Sequence, residues 1–105
     1  MKPTTDIIQE CKTALKNHYG TQFWGLLLFG SLARGQSNPA SVIDLLVLLD
    51  QPFDYFDEVR RIVELLYPIQ LESEQLILAK PVSLEEFEQG RTELYRSAKR
   101  EGALV

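Results

Sequence analysis

Phe23-Trp24-Gly25-Leu26-Leu27-Leu28-Phe29-Gly30-Ser31-Leu32-Ala33-Arg34-Gly35, followed by Ser41-Val42-Ile43-Asp44-Leu45-Leu46-Val47-Leu48-Leu49, decides the fold. Residues 23–29 form a short, nearly continuous apolar run, the pattern of a strand buried on both faces. Gly30 ends that run where the chain must turn, a conformation glycine adopts without steric cost. Ser31 is placed to cap the short helical turn Leu32-Ala33-Arg34. Unpaired backbone N–H groups at such a turn suit a phosphate. Gly35 and Gln36-Ser37-Asn38-Pro39 are loop chemistry, and residues 43–49 read as the second strand.

One acid stands in that second strand. Strand side chains alternate, so residues 42, 44, 46 and 48 share a face. Carboxylates at 42 and 44 would hold two divalent ions between them, the device used for in-line phosphoryl and nucleotidyl transfer. Here position 42 is Val, which coordinates nothing. Asp44 alone is equally compatible with a structural acid, paired with Arg34 or capping a loop, because a Gly-Ser turn by itself is a weak signal.

The segment Gly30-Ser31-Leu32-Ala33-Arg34-Gly35 with Ser41-Val42-Ile43-Asp44-Leu45-Leu46-Val47 resembles the signature of the minimal nucleotidyltransferases. These belong to the polymerase beta superfamily, with the pattern Gly-Ser, ten residues, Asp-x-Asp. Residues 32–41 are the ten, and the Asp-x-Asp slot falls on 42 and 44. The tail Arg100-Glu101-Gly102-Ala103-Leu104-Val105 is also similar to the ending of short bacterial members.

The resemblance implies transfer of a nucleoside monophosphate, AMP from ATP being the expected case among nucleoside triphosphates, with Mg²⁺. It implies Gly30, Ser31 and Arg34 as nucleotide-binding residues and Asp44 as catalytic metal ligand. A third carboxylate is expected on a later strand, where Glu74, then Glu72, are the candidates. Two exposed Glu residues at a strand entrance also fit a solvated edge. Val42 leaves the two-metal site incomplete, so impaired chemistry is expected. Short members commonly act as the antitoxin beside a small helical protein of the HEPN class, which implies such a partner here. A catalytically degenerate antitoxin or regulator that works by contact is the alternative, and a nucleotide sensor without transfer is a third. Tyr55, Phe56 and Tyr95 are candidate contacts, although aromatics more often pack in cores.

Composition sets limits on these readings. The 105 residues are 45% hydrophobic, enough for one modest core and a single minimal nucleotidyltransferase domain over 1–105. No apolar run is long enough to span a bilayer, and the N-terminus lacks a secretory pattern. The single cysteine, Cys11, excludes an internal disulfide and suits a reducing cytoplasm. Fifteen acids against 11 bases give a net charge of −4, which disfavours long nucleic acids as substrates. His18, the one histidine, reads as a helix-terminal surface residue. A homo-oligomer is compatible with the size.

The remaining pattern gives an α/β (α+β) chain, a small mixed sheet with helices packed on one side, as in the polymerase-beta-like nucleotidyltransferase fold. Thr4 or Thr5 caps a helix to about Asn17, with Ile7, Ile8, Cys11 and Leu15 on one face. Asp54 caps a second, striped by Val59, Ile62, Val63 and Leu66 and closed by Pro68. A third strand carries Glu72 and Glu74 and runs through Leu78. Ser83 and Glu86 form a capping box for a helix that Gly90 interrupts before Leu94, Tyr95 and Ala98.

Overall fold

The apolar runs pair with each other. In a computed structural model that describes residues 2–30 and 41–105, strand β1 (Phe23–Phe29) lies antiparallel to β2 (Ile43–Leu49), with Phe29 opposite Asp44. Both strands fall where the apolar pattern places them. The register shifts between Phe23 and Gly25, leaving Trp24 as an unpaired, half-exposed bulge. Strand β3 (Ile77–Ser83) runs parallel to β2, reached through helix α2 (Tyr55–Gln70). A two-residue strand β4 (Ala103–Leu104) adds antiparallel to β1, giving the sheet order β3-β2-β1-β4.

Alternation along β2 sends its side chains to two cores. Ile43, Leu45, Val47 and Leu49 meet Leu26 on one face, beneath α1 (Thr4–Tyr19) and α2, which supply Ile7, Ile8, Cys11, Leu15, Ile62, Leu66 and Ile69. Leu46 and Leu48 join Leu27 and Val82 on the other, under Phe87 of α3 (Leu84–Gln89) and Ala98 of α4 (Glu93–Glu101). The mixed sheet is as expected, but the helices cover both faces and not one: the two long helices share one side, and the two short ones add a smaller layer opposite, because β2 is apolar on both faces. Burial of the Cys11 thiol pushes its pKa up to about 12, as for an inert packed cysteine.

Local signals held where a side chain had one job. The Asp54 carboxylate accepts from the Asp57 amide to open α2, and Ser83 accepts from the Glu86 amide to open α3. Gly90 adopts the left-handed conformation that ends α3, and Thr92 caps α4. His18 lies exposed on the last turn of α1.

Several boundaries differ. Neither Thr4 nor Thr5 caps α1: the N-cap is Pro3, and the Thr4 hydroxyl instead donates to Gln75 at 2.8 Å. Helix α1 extends to Tyr19, whose ring is buried and whose hydroxyl donates to Glu58 on α2 at 2.6 Å. Pro68 does not close α2, which continues to Gln70 although proline has no N–H to give to the carbonyl four residues back. Val63 is 59% exposed, since the buried stripe passes through Ile62, Leu66 and Ile69 instead.

The third strand begins later than its acids suggested. Ser73 Oγ bonds both the amide and the carbonyl of Gln75, and Gln70 donates to that carbonyl while accepting from the Ile77 amide. These bonds hold residues 71–76 in a turn, so Glu72 and Glu74 precede β3 rather than lie on it.

Strand β4, which the apolar pattern did not announce, depends on Gly102. A Cβ built there lies 2.6 Å from the Ala98 carbonyl oxygen and 2.8 Å from Leu27 Cδ2. Gly102→Ala should therefore lift the tail from β1 and destabilise the protein by about 1–3 kcal/mol, as overpacking does. Urea denaturation checks this, and Gly20→Ala, at a position with open space but a left-handed φ of 59°, gives a backbone-strain control.

Candidate functional site

The end of β1 meets the start of β2, and this junction brings Gly30 and Asp44 together. Gly30 takes φ +85°, and a Cβ at this residue would sit 2.6 Å from Asp44 Oδ2. Glycine is thus required twice over, by the backbone conformation and by the carboxylate beside it. Ser31 and Arg34 lie outside the described residues, so the structural alternative of an Asp44–Arg34 pair does too.

Asp44 faces the side of the sheet that carries Leu46 and Leu48, and it is half-buried. Burial raises its carboxyl pKa above the ordinary value, and the positive charge of Lys80 acts in the opposite direction. Lys80 belongs to the same face by register: Asp44 pairs with Leu78 and Leu46 with Lys80, while Val82 joins the core on that side. The spacing of β1 and β2 foretold Asp44 at this junction. Lys80 was missed because nothing in the sequence fixes the β2–β3 register; a lone cation in an otherwise uncharged strand was the available signal.

The donor set can be tested against two divalent ions. Asp44 is the one acidic residue within β1, β2 and β3. Val42, half-buried just before β2, offers no oxygen from its side chain. On the adjoining strand the same face presents Leu78 and Lys80 in place of an acid. Glu74 is exposed in the bend three residues ahead of β3, and Glu72 is ion-paired to Lys2. Among the described residues no three Asp, Glu, His or Cys side chains converge, and the sequence of residues 31–40 contains none of these types. The protein side chains do not fit a two-ion site.

A cavity of about 530 Å³ opens at the other end of β2, between Leu49, Asp50, Tyr55, Ser83, Arg91 and Tyr95. Five residues of strand, about 17 Å at the usual rise, separate Leu49 from Asp44, and neither Gly30 nor Asp44 lines this cavity. Tyr55 and Phe56 are both exposed and pack edge to face at 5.4 Å, whereas Tyr95 is half-buried against Phe87.

With this geometry established, comparison with known proteins is informative. The family model described as "Polymerase beta, Nucleotidyltransferase" matches residues 9–105. The chain belongs to the polymerase beta nucleotidyltransferase family. It is 36% identical over 77 residues to the "putative protein adenylyltransferase" of Methanocaldococcus jannaschii, covering 70% of this chain and 77% of that protein. The fold matches one chain of a crystal structure of a toxin–antitoxin with AMP-PNP, with a TM-score of 0.56 and 18% identity, over 97% of this chain and 72% of the other. Family members generally act on nucleoside triphosphates with a divalent metal, whereas no cluster of three metal-ligating side chains stands among the described residues.

Two outcomes follow for the junction. Gly30→Ala should cost on the order of 1–3 kcal/mol, the scale of a non-glycine residue forced to positive φ, read as a loss of thermal stability. Asp44→Asn should stabilise the protein at pH 7. A raised carboxyl pKa in the folded state means that folding loses stability as pH climbs from the unfolded to the folded pKa, and the amide escapes that loss. The difference in Tm between Asp44→Asn and the parent should shrink as pH falls through the unfolded value of 3.8 and vanish below about pH 3, where both states are neutral.

Proposed function

We propose that this chain is a nucleoside triphosphate-binding nucleotidyltransferase domain whose transfer chemistry is impaired at Val42 and whose acceptor is a partner protein. The observation that carries the reading is the Gly30 turn packed directly against the Asp44 carboxylate at the signature junction. Gly30, Ser31 and Arg34 would bind the phosphates, and Asp44 would supply the remaining protein carboxylate. In the full reaction an acceptor hydroxyl attacks the α-phosphorus, its proton leaves to solvent or a base, and the bond to the β-phosphate breaks to release pyrophosphate. ATP with Mg²⁺ is the expected substrate form, and adenylyl the expected group, by analogy with the archaeal relative's printed name.

A specific surface feature favours the second reading, action by contact. Val63, Tyr67, Leu76 and Leu78 line one shallow groove between α2 and β3 and are each 44–59% exposed. Leu71, 68% exposed, lies at the same end of α2. Clustered apolar exposure of this kind marks protein contacts. A small helical partner of the HEPN class is proposed from the family resemblance and from the toxin–antitoxin fold match.

The test restores the missing ligand. Val42→Asp should raise pyrophosphate release from ATP and Mg²⁺ by on the order of 10²-fold over the parent, the scale of restoring one electrostatic stabiliser. Asp44→Ala in that background should abolish the gain. No gain with Val42→Asp, in a protein shown by calorimetry to bind ATP, overturns impairment at position 42. Absence of ATP binding to both proteins overturns the nucleotide reading and leaves contact with a partner.

A further inference from the structure

The mismatch between this junction and a two-ion site has a consequence of its own. Val42 and Asp44 alternate onto one face at the start of β2, and Lys80 stands on the same face of β3, two residues along from Asp44's partner Leu78. A two-residue offset on neighbouring strands, about 6.6 Å along and about 4.8 Å across, sets the two positions about 8 Å apart, within the reach of a lysine. Among the described residues the Lys80 ammonium makes no hydrogen bond or ion pair, and the side chain is exposed. Its charge is nevertheless felt at Asp44. An exposed lysine on the same face as the signature acid, in no ion pair or hydrogen bond among the described residues, leaves its ammonium available to an anion beside Asp44.

We infer that Lys80 contacts the phosphates of the bound nucleoside triphosphate directly and supplies positive charge that divalent ions would otherwise provide. The reasoning is one of charge balance. A triphosphate carries several negative charges, and Asp44 adds another beside it. One carboxylate with the substrate's own oxygens serves a single Mg²⁺, which leaves no protein carboxylate for a second ion. An ammonium needs no coordination sphere and binds phosphate as a point charge. An uncharged residue at 42 and a base at 80 both move the site's charge in the positive direction. Nucleotide binding is then tolerant of metal removal, and the bound species is the triphosphate itself, with or without its cation.

This inference rests on the nucleotide reading above, and one titration separates the two. ATP is titrated calorimetrically into the parent protein, Lys80→Gln and Lys80→Glu, each with excess Mg²⁺ and again in EDTA. Because Lys80 is exposed, the variants should fold, which circular dichroism checks. The parent should bind ATP with less than about threefold change between Mg²⁺ and EDTA. Lys80→Gln should lose on the order of tenfold affinity in EDTA, the scale of one charge-assisted contact. Lys80→Glu, which sets a second carboxylate beside Asp44, should bind ATP only with Mg²⁺. If the parent binds ATP only with Mg²⁺, or Lys80→Gln binds as the parent does in EDTA, the inference is overturned while the nucleotide reading stands. If no form binds ATP in either condition, both fall together.

Discussion

A lone carboxylate in an otherwise apolar strand is the constraint on which this molecule turns. Strand β2 is covered on both faces, so an acid inside it is tolerated only near an end where some solvent reaches it. Asp44 occupies the second residue of β2, and its partner on β1 is Phe29, the last residue of that strand. The next residue must pass within van der Waals distance of the carboxylate and reverse direction, which only glycine does at φ +85°. The position of the acid, the end of β1 and the identity of residue 30 are thus one geometric solution.

The rest of the architecture protects that solution. The α1–α2 layer seals one face of the sheet, with the Tyr19–Glu58 hydrogen bond tying the two helices together. The α3–α4 layer covers Leu46 and Leu48, farther along β2, and leaves Asp44 half-exposed at the strand's entrance. The tail returns as β4 along β1, its close approach permitted by Gly102. The edge of β3 is blunted at its start, where Gln70 takes the Ile77 amide, and at Pro81, which has no amide proton to offer. Contacts at that edge would therefore use the side chains of the α2–β3 groove more than added strand pairing.

Within the family frame, the site is defined by departures. Position 42 offers no side-chain oxygen, and Lys80 stands on the neighbouring strand on the same face as Asp44, so the junction keeps its glycine turn with one acid and one nearby cation. The apolar groove between α2 and β3 reaches Leu78, the register partner of Asp44, so it borders the junction along β3.

The sequence by itself determined the local elements of this protein. Apolar runs of strand length set β1 and β2 to the residue, and Asp54, Ser83 and Gly90 marked helix ends through bonds each residue makes within a few positions of itself. The signature spacing placed Gly30 and Asp44 at one junction. Only the tertiary structure decided the features that depend on partners distant in the chain. Thr4 was drawn from capping to Gln75, Glu74 was held off β3 by the Gln70–Ser73–Gln75 bonds, and β4 formed because β1 had an open edge. Lys80 came to Asp44's face through the parallel register of two strands separated by a whole helix, a pairing fixed by the packing of α2 and invisible to local pattern.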